Sequence, residues 1–191
     1  MAAALFCFHM RLKGRESVDI MMNGKKQQES KGVYMSHKVR LAEAGDIPSV
    51  MELLKQVNQV HYEGRPDLFK QDTKYTEEEL AKIFRDPRTP VFVCADDSGR
   101  VLGHGFCVFQ RPGNTRLLQD ILTLYIDDIC VDEKARGQHV GKAIYEHILS
   151  FARGKGCYNV TLNVWHCNPG AMKFYESLGL LPYKLGMEKI L

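Results

Sequence analysis

The stretch Leu124–Lys142, LYIDDICVDEKARGQHVGK, constrains this chain more than any other. Tyr125 to Val131 is rich in Ile, Val and Tyr, the composition of a buried strand. Two carboxylates, Asp127 and Asp128, interrupt it, and burying a carboxylate is costly unless something pairs with it. A polar loop, Asp132 to Ala135, follows. Arg136-Gly-Gln-His-Val-Gly141 then leads into Val140, Ala143, Ile144, Ile148 and Phe151, spaced as one face of a helix. The chain therefore passes from strand to helix through a tight glycine-containing turn.

The first amides of a helix have no partner inside it, and with the helix dipole they form an anion site. Gly137 and Gly141 let the backbone approach a bulky anion, and Arg136 and Lys142 add positive charge. A plain surface turn accounts for the same glycines. A nucleotide P-loop does not fit: Gly137 to Gly141 is one residue short, and Ala143 stands where a Mg²⁺-binding hydroxyl is needed. A dinucleotide fingerprint is also missing, because His139 and Val140 interrupt the glycine pattern.

The length suits one domain over 37–191, preceded by an extension, 1–36, expected to be disordered. That extension carries six basic residues against three acidic ones, which accounts for the whole net charge of +3. The domain thus holds no basic surplus of the kind nucleic acid demands. No apolar run reaches the ~20 residues of a membrane span. The six cysteines are scattered through apolar segments without a C-x-x-C, as reduced thiols of a cytoplasmic protein would be. The histidines show no metal-ligand spacing, so no metal site is expected.

Along the chain, Val39–Ala42 reads as a strand and Asp46 as the N-cap of a helix with Pro48 in its first turn. The loop from His61 to Phe69 carries Tyr62, Arg65 and Phe69, either as ligand-gripping groups or as an ordinary connection with its rings on the core. Thr76-x-x-Glu79 is a capping box, opening a helix that runs to about Phe84. Val91–Ala95 and Val101–Gln110 form a hairpin about Asp97-Ser-Gly99. After the helix that starts near Val140, Tyr158–Trp165 is a strand, Asn168 caps a short helix ended by Gly179, and Pro182–Ile190 is a last strand.

The turn at Arg136–Gly141 resembles the pyrophosphate loop of the GNAT N-acetyltransferase superfamily, R/Q-x-x-G-x-G/A, with His139 departing at the middle glycine. Asn168-x-x-Ala171-x-x-Phe174-Tyr175-x-x-x-Gly179 is similar to a second motif of that family. The resemblance spans about 38–191. It implies an α/β (α+β-type mixed) fold: a mostly antiparallel twisted sheet of six to seven strands flanked by helices and splayed at the acetyl-CoA strand.

It also implies an activity: direct transfer of the acetyl group of acetyl-CoA to a primary amine. By resemblance, Tyr175 is the general acid and Asp127 the base. Ile129, Cys130 and Val131 hold the pantetheine arm, and Asn168 holds it from the other side. Arg136, Gly137, Gln138, His139, Val140, Gly141 and Lys142 take the pyrophosphate. Asp128, with Tyr62, Arg65 and Phe69, faces the acceptor.

The acid pair points to a small cationic amine as partner. Acetylation of a protein N-terminus or lysine is an alternative, as is a non-catalytic acyl-CoA-binding module. Cys130 as a nucleophile is not needed for direct transfer. A homodimer is an expectation by resemblance only.

Overall fold

A computed structural model of the chain describes residues 37–113 and 115–191. The extension expected over 1–36 lies outside the described residues. Five strands, β1 (Lys38–Leu41), β2 (Val91–Ala95), β3 (Val101–Gln110), β4 (Thr123–Val131) and β5 (Asn159–Leu162), form one sheet in that order. All neighbours are antiparallel except β4 and β5, which run parallel. The mixed sheet with flanking helices is the expected architecture, with fewer strands than anticipated.

Helices cover both faces. On one lie α1 (Ile47–Gly64) and α2 (Glu77–Ile83); on the other lies α3 (Val140–Gly154). The pleat explains the split. Val91 and Val93 of β2 join Val50, Leu54 and Leu80, whereas Phe92 and Cys94 join Val140, Ile144 and Ile148. Gly105 on β3 lets α3 settle close, since a Cβ there would stand 2.9 Å from Ile144 Cγ2. The fourth helix, α4 (Pro169–Ser177), follows β5.

Local chemistry sets the helix ends. Thr76 accepts from Glu79 N, and Glu79 accepts from Thr76 N, so the capping box at α2 forms as expected. Asn168 Oδ1 accepts from Ala171 N at 3.0 Å at the start of α4. Asp46 does not act as the expected cap of α1. A single 3₁₀ turn, Ala44–Asp46, precedes that helix, and Asp46 accepts instead from Glu43 N at 2.8 Å and from Arg40 at 2.6 Å.

Two expectations about strands are corrected. Tyr158–Trp165 shortens to Asn159–Leu162, and no strand forms over 182–190. A strand needs a neighbour to complete its ladder, and Pro182 and Gly186 weaken this segment for pairing. Its apolar residues Leu181, Tyr183, Leu185 and Met187 are exposed.

Candidate functional site

The site begins where the sheet splays. β4 pairs with β5 only from Thr123 to Ile126, while its other edge stays bonded to β3 as far as Val131. From Asp127 onward the β5-side edge of β4 therefore has no strand beside it, and a cleft of about 610 Å³ opens there. Ile129 and Val131 of β4, the turn before α3, and Phe174 and Tyr175 of α4 line it, with Val60 of α1. An open strand edge offers its amides and carbonyls to an extended ligand, as in strand addition.

At the far end of the cleft sits the turn into α3. Gly137 has φ 77° and His139, the residue before the helix, has φ 62°. Glycine adopts this left-handed region freely, and an L-residue there is strained, so the departure at His139 falls on a position that suits glycine. The first residues of α3, whose amides have no partner within the helix, line the cleft with Arg136. Gly141 lies against α4 as well, where a Cβ would stand 3.2 Å from Phe174 Cζ. The second motif thus packs directly on the first.

Asp127 and Asp128 do not line this cleft; they stand just before Ile129, at a β-bulge. The β3–β4 register jumps from Phe106–Asp128 to Cys107–Ile126, which leaves Asp127 without a cross-strand partner. A bulge re-aims its side chains. Here both carboxylates reach groups that pack on the Phe106 ring. Asp127 binds Lys74 Nζ at 2.6 Å and accepts from the Tyr75 hydroxyl at 3.3 Å, and Tyr75 stacks on Phe106 at 5.7 Å. Asp128 meets His104 Nε2 at 3.1 Å, and His104 makes an edge contact with Phe106 at 5.0 Å.

Burial pushes the Tyr175 phenol well above its usual range, and the charge of Asp128 pushes it further. The phenol therefore stays protonated at neutral pH. Burial lowers His61 despite the pull of Asp128. Burial works against the charge on Lys74, but its bond to Asp127 outweighs this and holds it as a cation. Cys130 is a poor nucleophile: burial pushes its thiol up to about 12, and the sulfur donates to Leu53 O on the α1 face.

Most expected residues meet at this cleft. Ile129, Val131, Arg136, Gly137, His139, Val140, Gly141, Lys142, Asn168 and Tyr175 border it. Cys130 does not line the cleft, and its side chain faces α1. Gln138 turns away and donates to Lys134 O. Arg65 is held by Asp67 and Glu188, which makes it a clamp on the C-terminal segment. Phe69 stands in a row of rings, 5.0 Å from His61 and 5.1 Å from Trp165. Tyr62 is half-buried near the end of α1 and has no side-chain hydrogen bond or ring contact with these groups among the described residues.

His104, Lys74, Tyr75 and Trp165 were not anticipated. His104 carried a usable signal, a histidine inside the apolar run Val101–Phe109. The other three are brought in by packing alone.

This cleft, between a splayed strand and a helix N-terminus, is the arrangement of an acetyltransferase. The Acetyltransferase (GNAT) family matches residues 54–180, and the chain belongs to it. The chain is an acetyl-CoA-dependent N-acetyltransferase by class. It is 30% identical over 154 residues to the glucosamine 6-phosphate N-acetyltransferase of Trypanosoma brucei brucei, covering 78% of this chain and 92% of that protein. It is 28% identical over 156 residues to the thialysine N-epsilon-acetyltransferase of Bos taurus, covering 74% of this chain and 82% of that protein. A solved structure of a variant of the BH1408 protein of Bacillus halodurans matches with a TM-score of 0.78 at 28% identity, covering 81% of this chain and 99% of that one. Among the described residues no cluster of three or more His, Cys, Asp or Glu could hold a metal ion, and no helix is long and apolar enough to cross a membrane.

Proposed function

We propose that the protein acetylates the primary amine of a small cationic acceptor, such as a lysine-like amine or a polyamine. The observation that carries this is the charge on the acceptor half. Its two carboxylates lie at the bulge, and the cations near it are already engaged, Lys74 with Asp127 and Arg65 with Asp67 and Glu188. A phosphorylated amino sugar needs a free cation for its phosphate, so the thialysine acetyltransferases are the better guide to the acceptor than the glucosamine 6-phosphate enzymes.

In this reading the α3 turn holds the pyrophosphate of acetyl-CoA on backbone amides, with Arg136 and Lys142 beside it. The open edge of β4 at Ile129–Val131 aligns the pantetheine arm, and Asn168 closes the other side. The thioester then lies between Tyr175 and the acid pair. A lysine-like ammonium, with pKa about 10.4, is not nucleophilic until it loses a proton. The Asp127–Asp128 pair takes that proton. The freed nitrogen attacks the acetyl carbon, and the carbon–sulfur bond breaks. Tyr175 gives its phenolic proton to the sulfur and regains one from the nitrogen as the amide forms. The carboxyl returns its proton to solvent, so each turnover releases one proton, CoA and the N-acetyl product.

The test is CoA-thiol release from acetyl-CoA with thialysine, polyamines and glucosamine 6-phosphate as acceptors. Release with the cationic amines and little with the phosphorylated sugar is expected; the reverse order overturns the reading.

A further inference from the structure

We infer that His104 is a positioning residue of the reaction, and that the carboxylate it holds, Asp128, takes the proton from the acceptor ammonium. This rests on the proposed acetylation of a cationic amine.

His104 lies on β3 with no exposed surface. Its Nε2 is 3.1 Å from Asp128 Oδ2, and its buried Nδ1 has no hydrogen-bond partner among the described residues. An ionised carboxylate only accepts, so the ring hydrogen sits on Nε2 and Nδ1 carries a bare lone pair. A buried acceptor without a partner is a structural penalty, and a leucine of similar size would fill this space beside Phe106 without it. Among the described residues the one polar contact that the imidazole makes is to Asp128. Core packing does not account for a histidine here, and holding that carboxylate does.

The two acids differ in their partners. Asp127 already faces an ammonium, Lys74 Nζ at 2.6 Å, and its side chain is 25% exposed. A second cation gains little from a carboxylate that is neutralised in place. Asp128 is deeper, at 12% exposure, and meets a ring that holds it by a single N–H. Its field reaches Tyr175 on α4, which places it on the side of the thioester. Around Asp128 the titratable groups are His104 from β3, His61 from α1, Tyr175 from α4, Lys74 before α2 and Cys130 on its own strand. The ammonium among them, Lys74, is bonded to Asp127. Asp128 therefore keeps a carboxylate available for an incoming ammonium, with one oxygen fixed by His104.

The step is a proton transfer: the N–H bond of the ammonium breaks, an O–H bond forms on Asp128, and the lone pair left on nitrogen attacks the acetyl carbon. The test varies how tightly the acceptor holds that proton. Putrescine and an analogue difluorinated beside one amine, which lowers its basicity, are compared as acceptors. With putrescine, Asp128→Asn is expected to lower kcat by about 100-fold or more and His104→Leu by roughly 10-fold or more, within the range of a positioned base. The acetyl-CoA KM is expected to hold. Both losses shrink with the fluorinated amine, which is largely deprotonated already, and His104→Gln, which can still present an N–H to Asp128, recovers most of the activity. Asp127→Asn, which leaves the Lys74 ammonium unpaired to repel a cation, is expected to raise the putrescine KM with a smaller loss of kcat than Asp128→Asn.

A purely structural role lowers kcat equally for both amines, and that result overturns the inference, as does a larger kcat loss in Asp127→Asn than in Asp128→Asn. If His104→Leu does not fold, by loss of its acetyl-CoA thermal shift, Asp128→Asn and His104→Gln decide the matter on the same amine dependence. Wild-type protein that releases no CoA with either amine overturns the proposed reaction itself; release by wild type without the predicted amine dependence overturns only this inference.

Discussion

In the proposed function the donor half of the site is backbone that lines the cleft, and the acceptor half is side chains around the β-bulge. On the donor side, the α3 turn and the open edge of β4 supply amides whose positions follow from φ angles and strand register. On the acceptor side, His61, which is in a row of rings with Phe69 and Trp165, feels the charge of Asp128, and the two carboxylates have different partners. A backbone site binds whatever presents a pyrophosphate, whereas a side-chain site is set by the identity of each residue. In that reading donor binding and acceptor choice are separable properties.

The sharpest way to break that separation is at Tyr175, where the halves meet. Tyr175→Phe removes the phenolic proton but keeps the ring beside Phe174. It is expected to lower kcat by about 100-fold while the acetyl-CoA affinity measured by calorimetry stays within twofold or so. Equal losses in turnover and affinity would remove Tyr175 from the acid role.

Next in size is Gly141→Asp, which places a negative charge at the α3 N-terminus and a side chain against Phe174, where a Cβ already has only 3.2 Å. Acetyl-CoA binding is expected to weaken about 10-fold, the scale of a like charge that repels the pyrophosphate and competes with it for the helix N-terminus, with crowding added. Unchanged binding would refute the placement of the pyrophosphate.

A smaller effect is expected on the acceptor side. Trp165→Ala removes one ring of the aromatic row and is expected to raise the KM of a cationic acceptor by about 2- to 5-fold, the worth of an exposed cation–π contact. The acetyl-CoA KM is expected not to move, and a parallel rise would show that the two halves are not separable.

The smallest effect is at His139. With φ 62°, its replacement by glycine relieves backbone strain, partly offset by the greater freedom of glycine in the unfolded chain. A net gain of about 0.5 kcal/mol in denaturant unfolding is expected. A loss would mean that the His139 side chain stabilises the turn.

The contrast between the halves also decides what could be read before any coordinates. The donor half was legible because its geometry demands particular residues in a row. A left-handed turn selects Gly137, a helix start selects Asn168 and Pro169, and these stand close together in the sequence. The buried strands β2 and β3 were legible as apolar runs, and the capping box at Thr76 as a four-residue pattern.

The acceptor half was not legible in the same way. Lys74 meets Asp127 across 53 positions and His104 meets Asp128 across 24, and no local pattern encodes such pairs. The bulge that turns both acids to one face is likewise a property of pairing between strands. The expected strand over 182–190 failed for a related reason: alternation is local, but a ladder needs a neighbour, and the structure gives that segment none.

The proposed function stands or falls on whether the acceptor half recognises positive charge. The most direct measurement is calorimetric titration of CoA-loaded protein with a diamine and, separately, with a phosphorylated amine of the same size. The account predicts binding of the diamine that weakens with added salt, and weaker or no binding of the phosphorylated amine. Tighter binding of the phosphorylated amine would contradict it, and would mean that Arg65 or Lys74 leaves its carboxylate to meet the acceptor.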